Sequence, residues 1–340
     1  MNSISPKERL LRVLDKKEVD RPPVICPGGM MNAAVVEVMN NAGHLLPEAH
    51  HDYNLMSELS SDVHQQTGFE NFGIPFCMTV EAEVLGSSIN FGTLSCEPKI
   101  EKELFPSVSE TEFEDIKKLL KSGRIGTVIQ SIYRLSDKYP DIPVIGNLTG
   151  PVSTAASIVD PMTFLKELRK DKANSQRVLD YVSNFLIEYA KLMIDNGVTL
   201  ISIGDPTATG EILGPKMFDE YAVTYLNKIL DGIHALKTPG IVHICGNMNT
   251  VWNKITSIRA DAISTDAVVN LRNLKKSFPS LTTMGNLSTF LLEFGTPDKV
   301  TLQTEKLIAD GIDIISPACG LSTSSSLKNI QALTGTVKEQ

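Results

Sequence analysis

His243 and Cys245 stand two residues apart directly after Gly240-Ile241-Val242, a short apolar, β-branched run that predicts a buried strand. Side chains alternate along a strand, so residues two apart point the same way. An imidazole and a thiol therefore meet at one strand end. Cys319 follows a second run of the same kind, Gly311-Ile312-Asp313-Ile314-Ile315, through Ser316-Pro317-Ala318. Three nitrogen and sulfur donors from two strand ends would hold a zinc ion and leave one tetrahedral position open, which separates catalytic from structural zinc. Isolated from its context, such a set is more often a core histidine and two buried thiols. The place of all three residues in the fold is what favours a metal.

The chemistry of that site follows from its donors. Coordination drives a bound thiol to lose its proton, and the thiolate is the nucleophilic form. Two protein thiolates donate charge to the metal, weakening its Lewis acidity and leaving a bound sulfur reactive. Hydrolytic zinc sites use less charge-rich sets, such as three histidines or two histidines with a glutamate. The residues alone point to zinc-dependent alkyl transfer to a thiol, with the donor unspecified.

The elements that must position these residues run through the whole chain. Ser5-Pro6-Lys7-Glu8 predicts a helix start, with Ser5 as N-cap and Pro6 in the first turn. Residues 24–26 predict a first strand, 30–39 a helix and 47–68 another. Residues 69–76 predict a strand, 89–93 part of a small hairpin, and 111–122 and 125–139 helices. From residue 143 the pattern is regular. Strands at 143–147, 197–203, 240–243, 260–265, 282–285 and 312–315 alternate with helices at 161–168, 175–196, 215–236, 250–258, 271–278, 297–310 and 325–338. Strands separated by helices pair in parallel with right-handed crossovers. About eight strands predict an α/β fold of the (β/α)8 TIM-barrel class, a single domain over 1–340 with an elaborated N-terminal helical and hairpin region over roughly 1–120. A doubly wound open sheet is the alternative, but no G-x-G-x-x-G follows a strand.

In such a barrel the chemistry sits at the C-terminal strand ends. Those ends carry Cys26, Asn147, Asp205, His243 with Cys245, Asp266, Asn286 and Cys319. Asn147, Asp205 and Asn286 are the candidates for contacts to a cofactor. Asp205 either binds substrate or holds His243 from behind, unless it caps a helix or turn. Asp266 is the candidate for a weak, displaceable fourth ligand, with helix capping as its other reading. Asn286 orients a ligand or binds loop backbone. Cys26 predicts a buried free thiol, and Cys77 and Cys96 lack a ligand-like setting. Glu81 and Glu83 predict surface or hairpin positions, and His50, His51 and His64 surface or packing ones.

The bulk properties set the limits. The chain has 340 residues, a formal charge of −8, 42% hydrophobic and 21% charged residues, which suits a globular protein and argues against a general nucleic-acid binder. Apolar runs break too early to span a bilayer, and residues 1–7 lack the apolar core of a signal peptide. Five scattered cysteines suit a reducing cytoplasm, where a Cys/His set binds metal or catalyses more often than it forms disulfides.

Motifs along nearly the whole chain carry a resemblance. They are Pro6-Lys7-Glu8-Arg9-Leu10-Leu11, Val19-Asp20-Arg21-Pro22-Pro23, Pro47-Glu48-Ala49-His50, Gly68-Phe69-Glu70, Ile74-Pro75-Phe76 with Glu81-Ala82-Glu83, Asp205-Pro206, His243-Ile244-Cys245-Gly246-Asn247 and Pro317-Ala318-Cys319-Gly320. In these the chain resembles the methylcobamide:coenzyme M methyltransferases, within the uroporphyrinogen decarboxylase superfamily of (β/α)8 barrels. The resemblance implies that His243, Cys245 and Cys319 bind Zn2+, and that an acidic residue can occupy the open position until a thiol arrives; Asp266 is the candidate for it, without a motif match. It implies methyl transfer from a methyl-Co(III) corrinoid protein, which presents the methylcobamide, to the zinc-bound thiolate of coenzyme M. Tetrahydrofolate as acceptor, or a methoxylated aromatic as donor, are the alternatives within the class. A barrel with structural zinc or none, serving only as partner to a corrinoid protein, is the alternative outside it. The decarboxylases carry an arginine-rich segment after the first strand. Here that stretch is Cys26-Pro27-Gly28-Gly29-Met30-Met31-Asn32-Ala33, without arginine, which counts against porphyrinogen decarboxylation and offers a neutral, apolar rim.

Overall fold

Long runs of β-branched and aliphatic residues need burial on both faces, and a parallel sheet covered by helices supplies it. The computed structural model describes residues 4–340, so residues 1–3 of the N-terminal stretch considered above lie outside the described part. Seven parallel strands form the sheet: β1 (Phe72–Ile74), β4 (Val144–Thr149), β5 (Leu200–Gly204), β6 (Gly240–Ile244), β7 (Ala262–Thr265), β8 (Thr283–Leu287) and β9 (Ile314–Pro317). They neighbour one another in sequence order, and β2 (Ser88–Asn90) with β3 (Lys99–Lys102) forms a separate antiparallel hairpin. Every residue of β4, β5, β6, β7 and β9 is buried.

The first predicted strand closes this sheet in reduced form. Val24 makes a single parallel bridge to Ile315. On the β9 side, Ile25 N donates to Ile315 O and Ile315 N to Pro23 O, at 3.0 and 2.9 Å. On the β1 side, Glu70 N donates to Val24 O at 2.9 Å. There the Asn71 side chain replaces a backbone ladder, accepting from Cys26 N and donating to Cys26 O, both at 2.9 Å. Pro22, Pro23 and Pro27 lack the N–H groups a longer ladder needs. Eight staves thus ring the core, a (β/α)8 barrel.

Departures from the predicted elements have local causes. The helix expected over 47–68 splits into a 3₁₀ turn, Glu48–His50, and a helix, Tyr53–Thr67, because the Asp52 carboxylate caps Asn54 N and Leu55 N. The helix expected over 30–39 begins only at Val36, and that over 111–122 shrinks to Ile116–Leu119. Residues 215–236 are broken into Gly210–Met217, a π-helical turn Phe218–Val223, and Thr224–Ala235, with Gly214 at φ 68° ahead of Pro215. The helix at 250–258 is 3₁₀ in form. Two short helices, Pro151–Ile158 and Thr289–Phe294, lie where loops were expected. The first is made of small residues without apolar periodicity, and the second is barely over one turn.

The two ends of the barrel differ in kind. At the N-terminal end Glu70 accepts from Arg9, Arg21 and the backbone of Val24, and Asp20 takes two further bonds from Arg9. The C-terminal end carries the loops with the candidate residues, and the hairpin is fastened there where Thr323 Oγ1 donates to Ser95 O at 3.0 Å.

Candidate metal centre

His243 is the fourth residue of β6 and is buried to 2% exposure. In the sheet register it lies opposite Ser264 of β7, whose Oγ is 2.9 Å from Nδ1. A hydrogen bond on Nδ1 fixes the ring and leaves Nε2 as the ligand atom. Nε2 points at Cys245 Sγ, 3.2 Å away. Cys245 lies just past the strand, and Gly246 at φ 69° turns the chain aside immediately after it. Cys319 comes from the loop after β9, three staves around the barrel, and its Sγ is 3.6 Å from that of Cys245.

The three donor atoms lie within 4.8 Å of one another, the one such group of three among the described residues. The sulfurs are far outside the S–S bonding distance of about 2.05 Å, yet close to the edge of about 3.8 Å that Zn–S bonds of about 2.3 Å give a tetrahedron. Their protons are shared unequally. A hydrogen bond from Cys245, reinforced by His243, lowers the Cys319 thiol to about 5. The bond to Cys319, burial and the charge on Cys319 push the Cys245 thiol well up. One thiolate therefore opposes the second, and a cation between them removes that opposition. The donor set fits zinc.

The other strand-end residues behave differently. The Asp205 carboxylate does not hold the His243 imidazole, whose side-chain partner is Ser264; Asp205 meets His243 only through its backbone N–H, 3.4 Å from His243 O. Its carboxylate is buried and accepts from Val152 N, Ser153 N and Ser153 Oγ at 3.0, 2.8 and 2.6 Å, capping the helix that starts at Pro151. Both of its oxygens are engaged in that cap, and the residue is fully buried. Asn147 donates to the carbonyls of Pro27, Ile74 and Ile145, so its amide ties strands to the loop after the first stave. Asn286 donates to Asp266 O and Val269 O, both at 2.8 Å, and thereby shapes the loop that carries Asp266. Asp266 itself is half-buried and accepts from Val268 N at 3.0 Å. It stands beside the triad, near enough to raise Cys245, and outside the 4.8 Å group. Cys26 is buried, its Sγ 2.7 Å from Met31 O, and burial pushes its thiol up.

Several residues gain importance only in three dimensions. Met30 places Sδ 3.9 Å from Cys245 Sγ. Glu211 accepts from Asn247 N at 3.3 Å and braces the turn after Cys245. Glu81 and Glu83 are not surface residues. Glu81 is 1% exposed and accepts from Thr149 N and Oγ1, while Glu83 pairs with buried Arg124 at 2.5 Å. Arg124 also reaches Cys77 Sγ and Thr79 Oγ1. Burial opposes ionisation of Cys77, but Arg124 and its neighbours outweigh it and bring the thiol down to about 5. His50 is fully buried near this group, with neither ring nitrogen hydrogen-bonded among the described residues. Of this cluster only His50 and Glu83 stand in the motifs quoted above, and its members are 74 positions apart at the extremes, His50 to Arg124, so no local spacing in the sequence marks it.

Comparison with known proteins places the geometry in context. The family model described as uroporphyrinogen decarboxylase (URO-D) matches residues 5–340. Methylcobamide:CoM methyltransferase MtbA of Methanosarcina acetivorans is 34% identical over 339 residues, 98% of this chain and 97% of that protein. Methylcobamide:CoM methyltransferase MtaA of Methanosarcina barkeri is 29% identical over 337 residues, 98% and 97% of the two chains. A solved structure of a methyltransferase from Methanosarcina mazei superposes with a TM-score of 0.92 at 29% identity, covering 99% of each chain.

Proposed function

Since this chain belongs to the uroporphyrinogen decarboxylase family, and its relatives there are methylcobamide:CoM methyltransferases, we propose that it moves a methyl group from a methylcobamide, presented by a corrinoid protein, to the thiol of coenzyme M. The observation that carries this reading is the convergence of His243 Nε2, Cys245 Sγ and Cys319 Sγ at the barrel mouth. A zinc ion on these three residues would supply the positive charge that lets an incoming thiol lose its proton at neutral pH. Ser264 Oγ, 2.9 Å from Nδ1, holds the His243 ring with Nε2 turned toward Cys245. Cys245 and Cys319, as thiolates, donate the charge that keeps a neighbouring sulfur electron-rich and suited to attack on carbon. Asp266 lies at the rim beside them, where its carboxylate can take the released proton toward solvent. Asn147, Asp205 and Asn286 support the reaction indirectly, by fixing the loops at the mouth. We read the whole chain as one barrel unit, working in the cytoplasm. Its five cysteines are free thiols, and no helix among the described residues is long and apolar enough to cross a membrane.

The loop from Cys26 to Ala33 separates this reaction from porphyrinogen decarboxylation. It has no arginine to receive substrate carboxylates and sets methionines at the mouth instead. The test is metal analysis together with methyl transfer from methylcobalamin to coenzyme M. Wild-type protein is expected to hold one zinc per chain and to transfer methyl. His243→Ala is expected to keep its circular dichroism while losing both zinc and transfer. Full activity of His243→Ala, or of zinc-free wild type, would sink the proposal.

A further inference from the structure

Outside the metal centre, another thiol is held among charged groups. Cys77 lies in the loop after β1 and is 5% exposed. Arg124, which precedes the helix Ile125–Lys138, sets Nη1 3.3 Å from Cys77 Sγ, and Thr79 Oγ1 donates to the same sulfur at 3.4 Å. The guanidinium is fixed on every side. Its Nε donates to Glu83 at 2.5 Å and its Nη2 to Thr79 Oγ1 at 2.9 Å, and its Cζ lies 5.0 Å from the centroid of the Phe91 ring.

His50 completes the group. Its side chain is fully buried, and neither ring nitrogen makes a hydrogen bond among the described residues. The ring nonetheless lies against Cys77. Burial opposes ionisation of that thiol, while the Arg124 charge and then the His50 ring favour it and prevail. A neutral imidazole carries one N–H donor and one bare acceptor nitrogen, and buried groups of this kind are normally paired. Here a donor and an acceptor stand free beside a sulfur. Of the other titratable groups around it, Glu81 on the helix of Glu83, Glu97 in the hairpin and Tyr189 in the helix Lys172–Asp195 lie within range of the sulfur's charge. Cys26 is the contrast. It is equally buried but faces only the Met31 carbonyl at 2.7 Å, and burial pushes its thiol up.

We propose that Cys77 is an oxidation site, held as a thiolate by Arg124 and Thr79, at which hydrogen peroxide converts the sulfur to a sulfenic acid. The thiolate is the nucleophilic form of a cysteine. Its sulfur attacks one peroxide oxygen: the S–O bond forms, the O–O bond breaks, and two electrons pass from sulfur to the peroxide. The attacked oxygen keeps its hydrogen, and the other departs as hydroxide and takes a proton from water. The free N–H of His50 is the donor that steadies the departing oxygen. The neutral sulfenic acid is a weaker partner for Arg124 than the thiolate, and a thiol reductant reverses the change. The inference depends on neither the metal nor methyl transfer.

The test treats the full, zinc-loaded chain with hydrogen peroxide, traps sulfenic acid with dimedone and reads each cysteine by mass spectrometry. Cys77 is expected to be labelled at least about ten-fold faster than Cys26 near neutral pH. Its rate should stay level from about pH 9 to about pH 6, because the thiol titrates only at about 5. Arg124→Gln should slow Cys77 labelling about ten-fold at about pH 6.5, with recovery as the pH is raised. His50→Leu should slow it several-fold while leaving the profile level, and a rate equal to wild type would remove His50 from the site. Should Arg124→Gln fail to fold, the wild-type pH profile decides. Cys77 left unlabelled in the folded wild type, or slowing about ten-fold per pH unit from about pH 8 to about pH 6 as an ordinary thiol does, overturns the proposal.

Discussion

At the scale of single residues, the buried carboxyls decide how this protein responds to pH. Glu81 has no ion-pair partner among the described residues; its oxygens accept from Thr149 N and Oγ1, and burial pushes its carboxyl up from 4.5 to about 7. A carboxyl whose pKa is raised by folding contributes stability that is fully present below its unfolded value and is lost as pH rises through the folded one. Wild type is therefore expected to lose stability between pH 4.5 and 7, a window set by those two values. Glu81→Gln keeps an acceptor for Thr149 N and cannot titrate, so it should remove part of that slope. Urea unfolding midpoints at the two ends of the window measure it. A slope identical in both proteins would mean that Glu81 is charged throughout. The metal ligands illustrate the opposite situation, in which buried ionisable groups are placed so close that only a cation satisfies them together.

At the scale of elements, the loops of the mouth hold one another through side chains borrowed from neighbouring staves. The helix Pro151–Ile158 starts without a capping side chain of its own. Asp205, from the end of β5, caps it across the loop, and a Cβ on Gly150 would lie 2.6 Å from its carboxyl carbon. Asp205→Ala removes a cap and strands two buried N–H groups, an expected cost of about 2–4 kcal/mol. Denaturant titration should show that loss, with zinc content unchanged, because the Asp205 carboxylate bonds only to Val152 and Ser153 and its one link to a ligand residue, N–H to His243 O, is backbone and survives the substitution. Loss of zinc in a folded Asp205→Ala protein would give this carboxylate the direct role that its hydrogen bonds deny it. The same borrowing explains Asn147 and Asn286. Asn147 lies two residues inside the end of β4 and Asn286 one inside the end of β8, and both spend their amides on backbone carbonyls, Asn147 on those of Pro27, Ile74 and Ile145 and Asn286 on those of the loop after β7.

At the scale of the whole molecule, the barrel separates stability from chemistry along its axis. The N-terminal end is closed by Glu70 with Arg9 and Arg21, two ion pairs at 3.0 and 2.6 Å, beside the single bridge that joins residues 23–25 to β9. Burial opposes ionisation of Glu70, yet the hydrogen bond from Arg21 and the charges around it prevail and hold its carboxyl below the usual range. Glu70→Ala leaves both guanidinium groups without this partner and is expected to cost about 3–5 kcal/mol. The variant should unfold at lower denaturant, while the protein that remains folded keeps its zinc and its turnover per bound zinc. Loss of zinc from folded Glu70→Ala would show that the two ends are mechanically linked.

Much of this was legible in the order of residues. Alternation along a strand put His243 and Cys245 on one side, the strand–helix rhythm from residue 143 predicted a parallel barrel, and the barrel in turn placed Cys319 at the same mouth. These are periodic or local properties, and a chain carries them along its length. What only the tertiary structure decided is which polar group at the mouth faces the centre and which faces a neighbour. Asp205 and Asn286 turn into adjacent loops and Asn147 onto carbonyls of the first-stave loop and the strands beside it, because backbone groups there lack partners and leaving them unmet in a buried place is costly. Met30 turns inward because Gly28 and Gly29, both at positive φ, fold its loop onto strands far away in sequence. Arg124, Cys77 and Glu83 converge for the same reason: partners are assigned by packing across the barrel, and packing has no period in the sequence.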